Sequence, residues 1–371
     1  MQPKTKVQVF LQISEIDCEY SKKQFHLLYF MIMASKDNRK AAIKKLKLLV
    51  FNSKSNVSSF RKKIEDSFYE PILPNRVERQ ERNYGGINCD VLVPEIYSSK
   101  RIMLYIHGGC FVAGSRSSYR SFCSVLANKA YSRTVVPEFR LAPTYAFPAA
   151  IEDLQACFRA LFTEEQIACS LDSSIDENGE KQNIQPEVII AADGSGASQA
   201  LSLVLSLRER YRVCIKKIVL FSPWLNLSSN SALISGKKVC DEVMSGECLL
   251  RSGDVYTYAS NLENPLVSPI FASRELLTGF PPVYIQMGEK EILLEEAKEF
   301  CKKVKDAGSE CELDAWPDMM NFFQFADEYL DASHRAFDKF SAVISGIDNE
   351  TSVGKSYENK PVLEHSMRAD A

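Results

Sequence analysis

From Val77 onward, short apolar runs alternate with stretches whose apolar residues recur every three or four positions. Val77–Arg82 and Cys89–Val93 flank Tyr84-Gly85-Gly86 and read as a hairpin. Strands are then predicted over Ile102–Ile106, Arg133–Val136, Val188–Ala192, Ile218–Phe221, Val283–Met287 and Cys311–Ala315. Helices are predicted over Tyr119–Lys129, Ala149–Leu161, Ser198–Tyr211 and Leu294–Asp306. Strand and helix in turn imply a mostly parallel sheet covered on both faces, an α/β fold. Residues 164–187 are polar and aperiodic and read as a surface insertion; 228–266 interrupt the alternation as a cap would. A polar tail, expected to be disordered, runs over 346–371. The domain proper therefore spans 77–345.

The first 76 residues form a different region, a basic helical extension. Residues 1–63 carry fourteen Lys and Arg against four Asp and Glu, although the whole chain has a net charge of −3. Arg39–Phe51 reads as a helix with apolar residues at 43, 46, 49 and 50. Such a helix either packs on the domain with its basic face in water or lies on an anionic membrane surface. The apolar run Leu27–Ala34 has eight residues, well short of a spanning helix, and no secretory leader is legible at Met1. A cytoplasmic protein, peripheral on an intracellular membrane at most, is the expectation.

Composition narrows this little. The 371 residues are 45% hydrophobic and 25% charged, ordinary for a globular chain and unlike a disordered one. Balanced charge offers nucleic acid no global field. Eleven scattered cysteines without a C-x-x-C fit neither a disulfide framework nor a zinc site, and suit a reducing compartment. No metal or cofactor is expected.

The chemistry is concentrated in a few blocks. Tyr105-Ile106-His107-Gly108-Gly109-Cys110-Phe111 follows a buried strand, where Gly-Gly lets backbone N–H groups turn outward as donors for an oxyanion. Phe139-Arg140-Leu141-Ala142-Pro143, Phe147-Pro148-Ala149-Ala150, Glu152-Asp153 and Phe221-Ser222-Pro223-Trp224-Leu225 come after it. In this order and spacing the blocks resemble the hormone-sensitive-lipase branch of the α/β-hydrolases, a family of carboxylesterases and lipases, from about Val77 to Ile344. The resemblance implies an eight-stranded sheet, an oxyanion loop after the third strand, and a Ser-acid-His triad on three loops. In such a triad serine attacks the carbonyl, histidine takes its proton, and the acid holds the imidazole.

The block Met287-Gly288-Glu289-Lys290-Glu291-Ile292-Leu293 resembles the family's G-x-x-[DE]-x-L block, and the resemblance implies Glu291 as the acid. The family's G-D-S-A-G elbow matches Ala192-Asp193-Gly194-Ser195-Gly196, with Gly194 at the serine position. A shifted register makes Ser195 the nucleophile instead, but Asp193 would then crowd a flank that must be small. In the first register Ser195 supplies only a backbone N–H to the oxyanion hole, beside those of Gly108, Gly109 and Cys110. Trp316-Pro317-Asp318-Met319-Met320-Asn321-Phe322 resembles the family's P-G-M-x-H-x-F block, with Asn321 at the histidine position. Asparagine cannot accept and return a proton near neutral pH. Of the four histidines, His107 belongs to the oxyanion loop, and His26, His334 and His365 lie in contexts that do not suggest a base.

Two functions follow. One is a pseudoenzyme that keeps a pocket for an acyl or sterol-like ligand, or for a partner protein, without ester turnover. The other is a working esterase in lipid metabolism, a short-acyl or steryl ester deacetylase using Ser195. The double loss at Gly194 and Asn321 favours the first. The sequence names neither the ligand nor the oligomeric state.

Overall fold

A computed structural model describes residues 38–52, 54–69, 73, 76–171, 185–228 and 241–357, with side chains described as far as 347. Eight strands build one sheet: β1 (Val77–Tyr84), β2 (Ile87–Pro94), β3 (Arg101–Ile106), β4 (Arg133–Pro137), β5 (Glu187–Asp193), β6 (Ile215–Phe221), β7 (Val283–Gly288) and β8 (Cys311–Trp316). Their order is β1-β2-β4-β3-β5-β6-β7-β8; β2 pairs antiparallel with β1 and β4, and every other pair is parallel. Every residue of β3, β5 and β7 is buried, as strands sandwiched between helical layers must be. Edge strand β1 buries only its two ends, Val77 and Tyr84. Tyr84 pairs with Ile87 across the Gly85-Gly86 turn, as the hairpin reading expects.

The helices are α1 (38–46), α2 (Val57–Phe68), α3 (Arg120–Ala130), α4 (Ala149–Leu171), α5 (Gly194–Ser206), α6 (Glu209–Arg212), α7 (Gly246–Tyr256), α8 (Arg274–Leu277), α9 (Leu294–Asp306) and α10 (Asp331–Tyr357). Several differ from the periodicity. Helix α4 runs ten residues past Leu161, so the supposed insertion begins as helix, with Glu165 and Cys169 buried. Glu165 is polar yet inside because it pairs with Arg133 at 2.7 Å. Helix α5 starts four residues before Ser198, because the chain turns from strand to helix at Gly194 with no loop between. Helix α10 passes Gly346 and continues to Tyr357, where a polar tail was expected. The cap region holds α7; 229–240 and 358–371 lie outside the described residues, as do His26, His365 and residues 1–37.

The described part of the extension, from residue 38, packs as a strap. Ala42, Leu46, Val50 and Phe51 are buried; of the expected 43, 46, 49 and 50 stripe, Leu46 and Val50 are buried while Ile43 and Leu49 are half-buried. Helix α2 adds Phe60, Ile64 and Phe68, spaced four apart on one side, and starts at Asn56, whose side chain accepts from the Ser59 N–H. Basic residues pin the strap at its rims: Arg39 bonds Glu242, Lys45 pairs with Glu328 at 2.5 Å, and Arg61 donates to the Val112 and Ala142 carbonyls at 2.7 and 3.0 Å. Arg251 of α7 reaches back to the Asn52 and Ser55 carbonyls with its guanidinium over the Phe51 ring. Among the described residues no helix is long and apolar enough to cross a membrane.

Candidate functional site

Strand β3 is flanked by β4 on one side and β5 on the other, so the chain order reverses there. Open α/β sheets bind ligands at the carboxyl ends of strands beside such a switch point. The segments following β3, β5, β6, β7 and β8 meet at that end here, and they carry the residues singled out in the sequence.

The elbow comes first. Gly194 has φ +47, the left-handed conformation at which a strand can turn directly into a helix. A Cβ built on Gly194 meets nothing within 4 Å, so the position is open. Gly196 is the opposite: a Cβ there would sit 2.3 Å from the Ile106 carbonyl oxygen, and only glycine lets α5 lie so close to β3. The register with Gly194 at the apex is thus the one the backbone adopts. Ser195 is in the first turn of α5, 2% exposed, and its Oγ accepts from the Phe111 N–H at 3.1 Å.

The oxyanion loop is held by Asp193. One carboxylate oxygen of Asp193 accepts from the Gly108 N–H at 2.9 Å and the Tyr105 hydroxyl at 2.7 Å; the other accepts from the Tyr119 hydroxyl at 3.0 Å. Burial pushes the Asp193 carboxyl up to about 6 in spite of these donors. Gly108 is therefore spent on structure and does not serve as an oxyanion donor. Gly109, Cys110 and Phe111 all have positive φ, at +116, +58 and +64. Their turn is closed by the Val112 and Ala113 N–H groups donating to the Gly109 carbonyl. Among the described residues nothing accepts from the Gly109 or Cys110 N–H. Cys110 turns its Sγ toward the Leu49 carbonyl of the strap, at 3.6 Å.

The acid and its neighbour stand opposite. Glu291 is 2% exposed and accepts from the Gly288 N–H at 2.5 Å, the Ser222 hydroxyl at 2.7 Å and the Asn321 side-chain amide at 3.1 Å. Ser222 in turn accepts from the Phe322 N–H at 2.9 Å, so it ties the acid loop to the Asn321 loop. Burial lifts the Glu291 carboxyl well above the usual range despite three donors. Among the described residues no imidazole touches this acid. His107 bonds the Gly108 carbonyl through Nδ1 at 2.8 Å, is stacked between Tyr119 and Phe139, and is pushed down to about 4 by burial. His334 is exposed on α10.

Gly109, Cys110, Asp193, Gly194, Ser195 and Asn321 all border one cavity of about 40 Å³. Ligand pockets are usually ~300–1,000 Å³, whereas this one has room for roughly three waters. The strap makes it small: Leu46, Leu49 and Val50 close one side and Val243 and Met244 another. With the strap in this place, an acyl chain or sterol does not fit. Sequence reasoning missed this closure, and also Ser222, Trp224, Tyr105 and Tyr119 as parts of the site. Tyr105, Ser222 and Trp224 all lay within the blocks that were recognised, but pattern alone assigned them no partner. Among the described residues no cluster of three or more His, Cys, Asp and Glu gathers as metal ligands would.

A family model described as the alpha/beta hydrolase fold matches residues 103–325. The chain belongs to that family. It is 27% identical over 254 residues to a protein named esterase from Acinetobacter venetianus, covering 68% of this chain and 77% of that one. An acetyl-hydrolase from Streptomyces hygroscopicus is 28% identical over 245 residues, covering 66% and 75%. A crystal structure of an esterase from the bacterial hormone-sensitive lipase family superposes with a TM-score of 0.70 at 22% identity, covering 83% of this chain and 97% of that one.

Proposed function

We propose that this protein is a non-hydrolysing member of the family, a ligand-binding pseudoenzyme that keeps the elbow and oxyanion loop without a working triad. One observation carries this reading: the apex of the elbow is Gly194, and the side chain on Glu291 opposite it is the amide of Asn321. Neither group can form an acyl intermediate or relay a proton. Glu291 supports the same reading. A triad acid balances the imidazolium that forms beside it, but this one faces only neutral donors and is driven toward its protonated form.

A second reading has its own support, since the relatives are named esterase and acetyl-hydrolase. It requires Ser195 to attack, yet that hydroxyl lies in the first turn of α5 under the Phe111 N–H. The two readings part in one assay. Purified protein is treated with a fluorophosphonate probe, and p-nitrophenyl acetate hydrolysis is compared with that of Ser195→Ala. The non-hydrolysing reading expects no label at residues 193–196 and identical rates. Labelling at Ser195, with turnover that disappears in the variant, establishes the esterase instead.

A further inference from the structure

No disulfide links the nine described cysteines, yet six of them meet as thiol pairs: Cys89 with Cys157, Cys110 with Cys248, and Cys301 with Cys311. The pairs differ in what surrounds them. Cys89 and Cys157 hold their sulfurs 3.7 Å apart between β2 and α4, and neither is exposed. Cys110 and Cys248 lie under the strap, where Cys110 also bonds the Leu49 carbonyl. Cys301 is on α9 and Cys311 opens β8, at the end of the sheet opposite the cavity. Each is 5% exposed, and Cys311 borders an open groove of about 490 Å³ that Lys217, Lys305 and Ser309 also line.

Position and charge set these two sulfurs apart. Cys301 Sγ is 3.3 Å from the Cys311 carbonyl oxygen and in hydrogen-bond contact with the Cys311 thiol. Lys305, one turn further along α9, turns its ammonium to the same sulfur, whereas Lys298 and Lys303 pair with Glu295 and Glu299 of their own helix. The hydrogen bond from Cys311 and the Lys305 ammonium draw the Cys301 thiol down to about 7, against burial and Glu312. Cys311 moves the other way, because it donates the shared proton and is buried. A readily ionised thiol beside a second one is the arrangement found in cysteines that oxidise reversibly. In a reducing compartment such a pair rests as two thiols.

We propose that Cys301 and Cys311 are a peroxide-responsive dithiol, a modification site separate from the cavity at Gly194. The Cys301 thiolate attacks one oxygen of hydrogen peroxide, the O–O bond breaks, and the departing hydroxide takes up the proton that Cys301 released. Cys301 is then a sulfenic acid. The Cys311 sulfur attacks it, the S–O bond breaks, and hydroxide leaves with the Cys311 proton as water. One S–S bond has formed, the sulfurs have lost two electrons, and the peroxide has become two waters. A thiol reductant reverses the change. The cross-link joins α9 to β8, whose opposite ends lead to Glu291 and Asn321.

The test is to reduce the full chain, treat it with equimolar hydrogen peroxide near neutral pH, and map the products by tryptic digestion and mass spectrometry. Lys302, Lys303 and Lys305 lie between the two cysteines, so their disulfide survives digestion as a cross-linked pair of peptides. That pair should form before any other and return to free thiols with dithiothreitol. In Cys311→Ser, dimedone should trap a sulfenic acid on Cys301; in Cys301→Ser, Cys311 should stay unlabelled. Lys305→Met should slow alkylation of Cys301 by iodoacetamide about threefold or more. Absence of the 301–311 cross-link, another cross-link that forms as fast, dimedone on Cys311 in Cys301→Ser, or an alkylation rate unchanged in Lys305→Met overturns the proposal. If a serine variant fails to fold, the cross-link map of the unmodified protein decides.

Discussion

The two walls of the site are built from different materials. On the β3–β5 side the functional groups are main-chain N–H groups, and packing fixes their positions. A Cβ at Gly108 would sit 2.3 Å from an Asp193 carboxylate oxygen, and one at Gly196 the same distance from the Ile106 carbonyl. On the β7–β8 side the chemistry depends on side-chain identity. Glu291 and Asn321 hold each other at 3.1 Å much as an acid and a histidine would, yet the amide does no acid–base work. A backbone-built feature persists as long as the fold does. One built from a side chain can be lost while the loop that presents it keeps its shape.

The largest expected effect tests whether the two walls still fit each other. Gly194→Ser has open space and costs about 1–3 kcal/mol of strain at its positive φ. Asn321→His supplies a base over Glu291. Each change alone should leave p-nitrophenyl acetate hydrolysis near background, and the pair should exceed either single on the order of 10³-fold, because triad members act as a unit. A folded double variant without synergy would mean that the walls no longer share a register.

Next comes the backbone wall by itself. Gly196→Ala should destabilise the protein by about 3 kcal/mol in urea titrations, since α5 has to move off β3. A loss below ~0.5 kcal/mol would refute the claim that packing fixes that wall.

A smaller effect should come from the acid. With its carboxyl raised by burial, Glu291 favours the folded state most when protonated. Its contribution is complete below the pKa of an unfolded glutamate and is lost as pH rises toward the folded value. Glu291→Gln should therefore raise the thermal midpoint at pH 8 and flatten its decline from pH 5 to 8. A midpoint that instead falls at pH 8 would indicate a carboxylate stabilised by an unrecognised cation.

The smallest change is expected at the strap's rim. Arg39 and Glu242 are each about a third exposed or less, and Arg39→Ala should cost roughly 0–1 kcal/mol in a urea titration. A larger loss would make ion pairing, in place of the apolar face, the main fastening.

Legibility in the sequence follows the same division. The central strands β3, β5 and β7 were visible because they are nearly continuous apolar runs, and Gly194, Asn321 and Glu291 were singled out because motifs preserve spacing. Lost periodicity hid the end of α4, where Glu165 is buried only because Arg133 neutralises it. The closure of the site was hidden for another reason. Nothing local in Leu46 or Leu49 says that this face will cover residues 193–195, about 150 positions further along the chain.

Chain order has a consequence for assembly. The strap leaves the ribosome well before its fastenings, Glu242, Arg251 and Glu328, which follow at separations of 203, 199 and 283 residues. Phe51, Phe60 and Ile64 are synthesised long before the surfaces that bury them exist. At ~5–20 residues per second, the wait from strap to Glu328 is about 15–60 s. Over that interval the segment is an apolar stretch with a strongly basic flank, the kind of nascent chain that chaperones hold. The element that seals the finished molecule is thus made early and docked late, and a chain released before residue 328 would leave it unsealed.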